Sequence, residues 1–485
     1  MTKESATAAY PKIGLLIDGV WIYDRPSLQD IENPSDESLL GQVPTASADD
    51  LARALDAAQR GFEVWRRTPP LERAALLRRA AAIVRSRAEE MAPIFTLEQG
   101  KTVAEALVEI ERSATFLDWD SAQLLRTYGR TVPTEPPLHQ IVVREPVGPV
   151  AAFTPWNVPM SAPSRKISGS LAAGCSIIIK PAEETPATTC LFAQCFLDAG
   201  LPKGVLNVVF GDPSTVSTTL VRSPVIRMVT LTGSVSVGKQ LTRLAAEGMK
   251  PVLMELGGHA PVLIDEDVDA AVVGRLATAS KFRMAGQYCS APSRFLVHRK
   301  VYDDFVTSFA EASSALRVGD GFSEGVEMGP VINRRRLDSV ASLVEDAVAK
   351  GARVAAGGQR IGNRGYFYAP TVLADVPLDA AVMSAEPFGP LAAVRPIDDL
   401  EEGLAISNSL PVGLAAFVFT NSIEKADHLS RELQVGSVAV NVFTSPGNDA
   451  PFGGYKESGI GREGGEESLE SYTVAKTITL RAVRV

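Results

Sequence analysis

The sequence predicts an α/β protein whose chain forms two successive parallel sheets. From Val147 onward, short apolar runs recur about every 25 residues and alternate with helical stretches, which is the pattern of βαβ units. A second strand–helix series runs from Ala260 to about Val440. A proline-bounded stretch near residue 130 and an alternating strand at the end of the chain lie outside both series, and they indicate a separate β element.

The composition is that of an ordinary globular protein. The chain has 485 residues, with 45% apolar and 22% charged residues, enough for about three domains. Its net charge of −9, with no basic block, argues against binding to nucleic acid or to anionic membranes. No apolar run is long enough to span a bilayer and no secretory signal is visible, so we expect a cytoplasmic protein. Four cysteines and four scattered histidines predict neither a disulfide framework nor a metal site.

The elements before the first sheet are predicted from turn and capping signals. Asp18-Gly19 lies between IGLLI and VWIY and favours a type I′ hairpin turn. Ser47 with Asp50 resembles a capping box that starts a helix, and a second helix is expected over Glu72–Met91. The five prolines in RTVPTEPPLHQIVVREPVGP predict an extended excursion.

The strands of the first sheet are the runs VGPVAAF, SIIIK, VLNVVF, IRMVTL and PVLMEL, with helices expected at Ala187–Ala199 and Val237–Glu247. Two glycine patterns near them are misleading. Gly459–Gly464 matches GxGxxG, but no apolar strand leads into it and few residues follow. Gly233–Lys239 resembles a P-loop, but Gln240 replaces the Ser/Thr that would bind magnesium, so an NTPase is not expected. The helix start after this strand could still bind a phosphate.

Three segments carry residues suited to covalent chemistry. Asn157, after a predicted strand, could donate its amide N–H to an oxyanion. Glu255 ends the apolar run PVLME, where burial would raise its pKa toward that of a general base. Cys289 follows Gly286 and Gln287, which we interpret as a flexible polar approach to a presented thiol. The other cysteines lie in apolar contexts and are expected to be buried. Taken singly, each of these three residues is also compatible with a purely structural role.

Together these segments resemble the NAD(P)-dependent aldehyde dehydrogenase superfamily, with motifs closest to succinate-semialdehyde dehydrogenase-like members. The matching strings occur in the family's order from about residue 153 to 463: PWNVP, IIIKPAEETP, TLTGSVSVG, MELGG, GQYCSAPSR, EPFGP and FGGYKESGIGRE. The resemblance implies a Rossmann-variant cofactor domain, an α/β catalytic domain and a β oligomerisation arm.

The resemblance also implies roles for individual residues. Cys289 would attack the aldehyde to form a thiohemiacetal and then a thioester, while Asn157 holds the oxyanion and Glu255 activates water. Lys166 and Glu463 would lie on a proton path. NAD, with NADP also possible, would be bound by a set of seven residues: Trp156, Lys180, Glu183, Gly233, Ser234, Glu386 and Phe388.

Two arginines bear on the substrate. Arg165 and Arg283 match the positions at which succinate-semialdehyde dehydrogenases bind the substrate carboxylate, which implies a short semialdehyde as substrate. Two departures leave longer ω-oxo acids and aromatic aldehydes open: Gly447 stands at about the place of a serine contact, and His259 stands where many members have Lys or Asn.

The resemblance further implies domain limits and an assembly. An NAD-binding domain is expected over 1–125 and 147–256, a catalytic domain over 257–456, and an oligomerisation arm over 126–146 and 457–485, giving a homodimer or homotetramer. Glu183 favours NAD over NADP, because a carboxylate repels a 2′-phosphate. A CoA-acylating enzyme and a non-catalytic structural relative are the competing interpretations. Glu255 weighs against the CoA-acylating enzyme, whose members usually lack this glutamate, and the joint presence of Cys289, Glu255 and Asn157 weighs against the non-catalytic relative.

Overall fold

The computed structural model describes residues 2–481 as two α/β units, a three-stranded β-sheet and two small two-stranded sheets. The α-helices of this range are α1 (Lys3–Ala8), α2 (Ala48–Trp65), α3 (Pro70–Ser86), α4 (Ala88–Gln99), α5 (Val103–Gln123), α6 (Ser161–Ala173), α7 (Pro186–Asp198), α8 (Pro213–Arg222), α9 (Val235–Ala246), α10 (Ala270–Lys281), α11 (Tyr302–Ala315), α12 (Arg334–Ala349), α13 (Leu400–Asn408) and α14 (Ile423–Glu432). The strands are β1 (Leu15–Ile17), β2 (Val20–Ile22), β3 (Leu28–Glu32), β4 (Leu39–Pro44), β5 (Arg130–Val132), β6 (Leu138–Pro146), β7 (Val150–Phe153), β8 (Ile177–Lys180), β9 (Leu206–Val208), β10 (Met228–Gly233), β11 (Val252–Leu256), β12 (Ala260–Ile264), β13 (Pro292–His298), β14 (Arg353–Ala356), β15 (Thr371–Ala374), β16 (Leu391–Ile397), β17 (Val412–Gly413), β18 (Ala415–Phe419), β19 (Ser437–Val440), β20 (Tyr455–Lys456), β21 (Gly459–Ile460) and β22 (Thr473–Arg481).

The first sheet contains the five predicted apolar runs as parallel strands. Its order is β2-β1-β9-β8-β7-β10-β11-β21, and β9, β8, β7, β10 and β11 run parallel to one another. Strands β7 and β8 are buried throughout, as strands covered on both faces by helices must be. The predicted α/β architecture of this part of the chain is confirmed.

The second sheet is formed by the later strand–helix series. Its order is β14-β15-β16-β13-β12-β18-β19, and all neighbours except β14 and β15 are parallel. Two hydrophobic cores accompany the two sheets. One is built from residues 6–256 together with Leu469 and Tyr472, and the other from residues 260–433.

The N-terminal predictions hold with one exception. Asp18 (φ 54°) and Gly19 (φ 75°) have the two positive φ values of a type I′ hairpin between β1 and β2. Ser47 and Asp50 form the capping box of α2. The single helix expected over Glu72–Met91 is wrong: the chain leaves helical geometry at Arg87, whose guanidinium pairs with Asp198 at 2.6 Å, and α4 begins at the next residue.

The proline-bounded stretch and the end of the chain pair in a third sheet of order β22-β6-β5. Strand β22 pairs antiparallel with β6 along its whole length, from Thr473 opposite Pro146 to Arg481 opposite Leu138. Several apolar side chains of this sheet are exposed, among them Leu138, Val474 and Leu480. The last residues of the predicted terminal strand TITLRAV lie outside the described residues.

The two misleading glycine patterns have the surroundings that the sequence indicated. The stretch from Gly459 includes the two-residue strand β21 and continues into a short 3₁₀ turn at Glu466–Ser468. The P-loop-like stretch connects β10 to α9, and Ser234 caps that helix by accepting a hydrogen bond from the Val237 N–H at 3.4 Å. In the described part of the chain, no helix is both long and apolar enough to cross a membrane.

Candidate active site

One cavity of about 520 Å³ is lined by residues from both halves of the chain. All but three of the residues that the sequence singled out line it: Trp156, Asn157, Arg165, Gly233, Ser234, Glu255, Arg283, Cys289, Glu386, Phe388 and Glu463. Lys166, Lys180 and Glu183 do not.

The parallel sheet explains why four distant segments meet here. Strands β7, β8, β10 and β11 are parallel neighbours, so their carboxyl ends share one edge of the sheet. Asn157 follows β7, Lys180 ends β8, Gly233 ends β10 and Glu255 lies at the end of β11. Residues separated by about a hundred positions in the sequence therefore reach one place.

The predicted nucleophile Cys289 is held behind a tight backbone loop. Met284 (φ 51°), Ala285 (φ 54°) and Gly286 (φ 69°) all adopt the left-handed region, which is costly for the two residues that carry a Cβ. A Cβ at Gly286 would lie 2.3 Å from the Gly389 carbonyl oxygen, so only glycine fits. The loop thus fixes where the chain enters the cavity.

Cys289 differs from the other cysteines in exposure, as predicted. Cys175, Cys190 and Cys195 are free and buried, whereas Cys289 is half-buried against the cavity. Burial raises the pKa of the Cys289 thiol well above its ordinary value, and the nearby carboxylates of Glu255 and Glu386 raise it further. A base must therefore take the thiol proton before the sulfur can act as a nucleophile.

The expected flexible approach through Gln287 is wrong. The Gln287 side chain is fully buried and bonded at both ends. Its amide donates to the Met284 carbonyl at 3.2 Å, and its side-chain oxygen accepts from the Ile332 N–H at 2.9 Å. Gln287 therefore stabilises the cysteine loop through these hydrogen bonds and does not form a flexible approach to the thiol.

Asn157 is buried beside this loop. Its side-chain amide donates one N–H to the Gln287 carbonyl at 3.0 Å, and an amide carries a second N–H. The Asn157 carbonyl accepts from Lys101 Nζ at 3.0 Å. Side chain and backbone of the predicted oxyanion residue are thus both anchored.

Lys101 and Glu109 form a buried ion pair that the sequence analysis missed. Glu109 Oε1 accepts hydrogen bonds from the Met160 N–H at 3.0 Å and from the Ser161 N–H at 3.1 Å. The pair therefore ties α5 to both ends of the segment that follows Asn157. Neither residue belongs to a recognisable motif, so only the fold reveals the arrangement.

Glu255 has the environment of a general base. Its carboxyl group is buried, and Oε1 has no hydrogen-bond partner among residues 2–481. Burial, followed by repulsion from Glu463, raises the pKa of Glu255 to about 8. Such a group can exchange a proton near neutral pH.

Lys166 lies behind the cavity wall and pairs with Glu463. Its Nζ is 2.6 Å from Glu463 Oε1, and both side chains are buried. Because Glu463 also faces Glu255, the pair links the predicted base to the protein interior.

Five of the seven residues predicted to hold a cofactor line the cavity: Trp156, Gly233, Ser234, Glu386 and Phe388. Trp156 and Phe388 meet edge to face with ring centroids 5.5 Å apart. Burial raises the pKa of Glu386 to about 8. A Cβ at Gly257 would lie 2.5 Å from Glu386 Oε2, so the glycine makes room for this carboxyl group.

Lys180 and Glu183 pair with each other outside the cavity lining. Glu183 Oε1 also accepts from the Gly211 N–H at 3.5 Å. The two charges lie at the carboxyl edge of β8, next to the strands that lead to the cavity.

The two predicted substrate arginines line the same cavity. The Arg165 guanidinium lies between Phe116 and Phe452, 4.2 and 5.1 Å from their ring centroids. The Arg283 guanidinium lies over Tyr288 at 4.5 Å. Arg165 Nη1 is buried without a hydrogen-bond partner in the described chain.

The cavity lining also contains Arg335 and Arg336, the latter over the Phe388 ring, and the sequence analysis missed both. It also missed Arg112 on α5. Its guanidinium lies 6.0 Å from the Phe116 ring centroid, over the ring that Arg165 also covers. Burial, then repulsion from Arg165 and Arg283, lowers the pKa of Arg112 to about 10. No sequence motif marks Arg112; its place on α5, three residues after the buried Glu109, is revealed only by the fold.

The two departures from the family pattern have structural explanations. Gly447 does not line the cavity, but Ser445 does, and its hydroxyl lies 2.9 Å from the Ser290 hydroxyl. His259 is buried between the Ser293 hydroxyl at 2.7 Å and the Val382 carbonyl at 2.8 Å, and burial lowers its pKa. His259 is therefore a neutral structural residue. Over residues 2–481 no group of three or more potential metal ligands occurs.

Comparison with known proteins agrees with this geometry. The model of the aldehyde dehydrogenase family matches residues 21–478. The chain is 46% identical to the 4-(hydroxymethyl)benzenesulfonate dehydrogenase TsaD1 of Comamonas testosteroni, over 97% of this chain and 98% of that protein. It is 39% identical to the NADP-dependent succinate-semialdehyde dehydrogenase GabD of Escherichia coli, over 95% and 96% of the two chains. The crystal structure of succinate-semialdehyde dehydrogenase from Burkholderia pseudomallei superposes with a TM-score of 0.95 at 38% identity, covering 98% of this chain and 99% of that one.

Proposed function

The chain belongs to the aldehyde dehydrogenase family, and we propose that it oxidises an aldehyde with an anionic group at its far end to the carboxylic acid, with NAD(P) and water as co-reactants. The observation that carries the proposal is the arrangement of one cavity. A thiol and a buried carboxyl group line it together with arginines that can bind an anion.

The chain's own residues divide the oxidation into two steps. Cys289 Sγ bonds to the aldehyde carbon after losing its proton, and the carbonyl oxygen becomes an oxyanion held by the Asn157 amide and the Cys289 N–H. A hydride then leaves that carbon and a thioester remains. Glu255 takes a proton from water, whose oxygen attacks the thioester, and the acid departs as the thiol is restored. Overall the aldehyde loses two electrons and gains one oxygen from water.

The residues at the cofactor side of the cavity fit a nicotinamide dinucleotide. The turn from β10 into α9 presents helix N–H groups suited to a pyrophosphate, beside the aromatic pair of Trp156 and Phe388. The space beside Gly257 admits the Glu386 carboxyl group, which can hold a ribose. When bound, the oxidised nicotinamide supplies the hydride acceptor.

The buried pair of Lys166 and Glu463 is our candidate for the proton exit. Glu463 lies close enough to Glu255 to raise its pKa, and its ion pair with Lys166 at 2.6 Å continues away from the cavity. A proton taken from water by Glu255 can pass to this pair without crossing the substrate.

A carboxylate at the far end of the substrate is supported by Arg165 and Arg283. Two guanidiniums on one cavity repel each other unless an anion lies between them. Ser445 supplies a hydroxyl near the place where Gly447 leaves none. A short ω-oxo acid such as succinate semialdehyde meets these requirements, as the name of the Escherichia coli relative also suggests.

An aromatic aldehyde with an acidic substituent is the second candidate. The cavity is lined by the rings of Trp156, Tyr288, Phe388 and Phe452, which can pack against an arene. The relative with 46% identity is named for a benzenesulfonate, an arene with a distal anion. Both candidate substrates carry an anionic group at the end far from the aldehyde.

The preference for NAD over NADP is proposed from Glu183. Its carboxylate would repel a 2′-phosphate while accepting hydrogen bonds from ribose hydroxyls. We assign the NAD-binding domain to 1–125 and 147–256 and the catalytic domain to 257–456, in line with the two hydrophobic cores. The free thiols favour a reducing, cytoplasmic compartment.

A homodimer or homotetramer is proposed from the third sheet. Residues 126–146 and 457–485 are the candidate arm, of which Gly459–Ile460 pairs with the first sheet. The exposed apolar side chains of β6 and β22 would be covered by a neighbouring subunit, and a further strand would satisfy the open sheet edge. A monomer by light scattering at micromolar concentration would contradict this assembly.

The experiment is NADH formation with a panel of aldehydes, with and without CoA. We expect succinate semialdehyde and 4-formylbenzoate to be oxidised to acids without CoA, with kcat/KM about tenfold or more above butanal and benzaldehyde. A requirement for CoA would indicate the acylating alternative. Absence of turnover with every aldehyde would indicate a structural relative, and a preference for neutral aldehydes would refute the distal anion.

A further inference from the structure

Five arginines line the cavity, and three of them, Arg112, Arg165 and Arg283, lie close enough for repulsion from the other two to lower the pKa of Arg112. Arg112 and Arg165 both lie over Phe116, and Arg283 lies over Tyr288. All three line the cavity that contains Cys289. If Arg165 and Arg283 alone bind a substrate carboxylate, Arg112 has no role in the cavity.

The carboxylates near Arg112 are engaged elsewhere. Glu109, one turn earlier on α5, pairs with Lys101 and accepts two backbone N–H groups. Glu105 accepts from the Met284 N–H at 2.7 Å and from the N-cap of its own helix. The hydrogen bond that Arg112 makes, from Nη2 to the Pro446 carbonyl, is long at 3.4 Å.

The positive charge at this end is therefore partly desolvated, and the carboxyl groups that attract Arg165, those of Asp120 and Glu255, have their own pKa values raised by burial to about 6 and about 8. Burial, followed by repulsion from Arg165 and Arg283, disfavours the charged form of Arg112, and Arg165 Nη1 is a buried donor without an acceptor in the described chain. An anion with several acceptor oxygens would relieve both costs at once.

We propose that Arg112 is a third substrate-binding residue and that the three guanidiniums select a sulfonate over a carboxylate at the far end of the aldehyde. This inference rests on the proposed distal anion and goes beyond it in naming the anion and the residue that selects it.

The number and direction of acceptor oxygens carry the selection. A carboxylate has two oxygens in one plane, which two guanidinium forks can saturate. A sulfonate has three oxygens that diverge from sulfur, so each can face a different guanidinium. It also stays ionised at any pH at which the protein is folded.

The test compares 4-formylbenzenesulfonate, 4-formylbenzoate and benzaldehyde on wild type, Arg112→Gln and Arg112→Lys. Arg78→Gln is the control, because Arg78 is an exposed arginine on α3 away from the cavity. Wild type should favour the sulfonate over the carboxylate by about tenfold in kcat/KM. Arg112→Gln should cost the sulfonate about tenfold to a hundredfold, the carboxylate less than about threefold, and benzaldehyde nothing measurable, with partial recovery in Arg112→Lys.

Binding of benzenesulfonate and benzoate, measured by calorimetry on the wild type, gives a readout without turnover and without a variant. Tighter binding of benzenesulfonate supports the inference; equal or weaker binding overturns it. An equal loss of kcat/KM for both anions in Arg112→Gln, or no loss for either, also overturns it while leaving the distal anion standing. Faster oxidation of benzaldehyde than of either anion by the wild type would instead refute the proposed function.

Discussion

The cavity contains two sets of ionisable residues, the thiol end of Cys289, Glu255 and Glu386 and the far end of Arg112, Arg165 and Arg283, and the two sets treat charge in opposite ways. At the thiol end, burial favours the neutral forms: the pKa of Cys289 is raised, and Glu255 and Glu386 each have a pKa of about 8. At the far end, three arginines bring positive charge together, and burial followed by repulsion from the other two lowers the pKa of Arg112 to about 10. The groups at the thiol end can exchange protons near neutral pH, and the arginines at the far end can bind an anion. Chemistry and substrate selection should therefore be separable by mutation.

Loss of the thiol should have the largest effect. Cys289→Ser should lower turnover of every aldehyde by about 10⁴-fold or more, because a hydroxyl is far less ionised than a thiol at neutral pH. NAD binding, measured by calorimetry, should be unchanged, since the serine keeps the shape of the site. Turnover near that of the wild type would remove Cys289 from the account.

Loss of the base should come next. Glu255→Gln should slow the hydrolytic step by about 10²- to 10³-fold while a first turnover of NADH survives, seen as a burst in stopped flow. Glu255 acts as a base only when ionised, so the hydrolytic rate of the wild type should rise with pH through about 8 and then level off. The variant should lack this rise; an unchanged pH profile would show that another group is the base.

The anchoring of Asn157 should matter to a lesser degree. Lys101→Met removes the donor to the Asn157 carbonyl and leaves Glu109 without its partner. A small displacement of the oxyanion residue should lower kcat by about ten- to a hundredfold, for neutral and anionic aldehydes alike. Glu109→Gln, which keeps acceptors for the Met160 and Ser161 N–H groups, should be milder. If Lys101→Met alters only the KM of anionic aldehydes, its role belongs to the other end of the cavity.

The smallest effect is expected from a substitution of Glu183, which does not line the cavity. Glu183→Ser removes the charge that opposes a 2′-phosphate and frees Lys180 from its ion pair. The ratio of kcat/KM for NAD to that for NADP should fall by about tenfold. A wild-type enzyme that already prefers NADP would contradict the role given to Glu183.

The residues of the cavity also differ in whether the sequence could predict them. The sheets follow from local apolar runs, and Cys289, Glu255 and Asn157 lie in contiguous motifs, so each could be named from its neighbours. Arg112 lies on α5 and Lys101 lies just before it, and both are far from Cys289 along the chain. Neither residue belongs to a motif. Their proximity to the site depends on the packing of α5 against α6, which is a long-range property.

The errors have the same origin. Gln287 was expected to be mobile because glycine and a polar residue precede the thiol, but its partners Met284 and Ile332 come from the loop and from a later segment. The break at Arg87 is accompanied by a pairing with Asp198, over a hundred residues away. Local patterns cannot reveal partners that only the fold supplies.

The central claim is that chemistry and substrate selection can be changed separately by mutation. Its most direct test measures kcat/KM for succinate semialdehyde and for butanal, each on wild type and on Arg283→Ala. The aldehyde ends are the same and only the distal carboxylate differs. We predict a loss of about tenfold or more for the semialdehyde and less than about twofold for butanal, because in the proposed complex Arg283 binds the distal carboxylate, which butanal lacks. An equal loss for both substrates, or none for the semialdehyde, would contradict it.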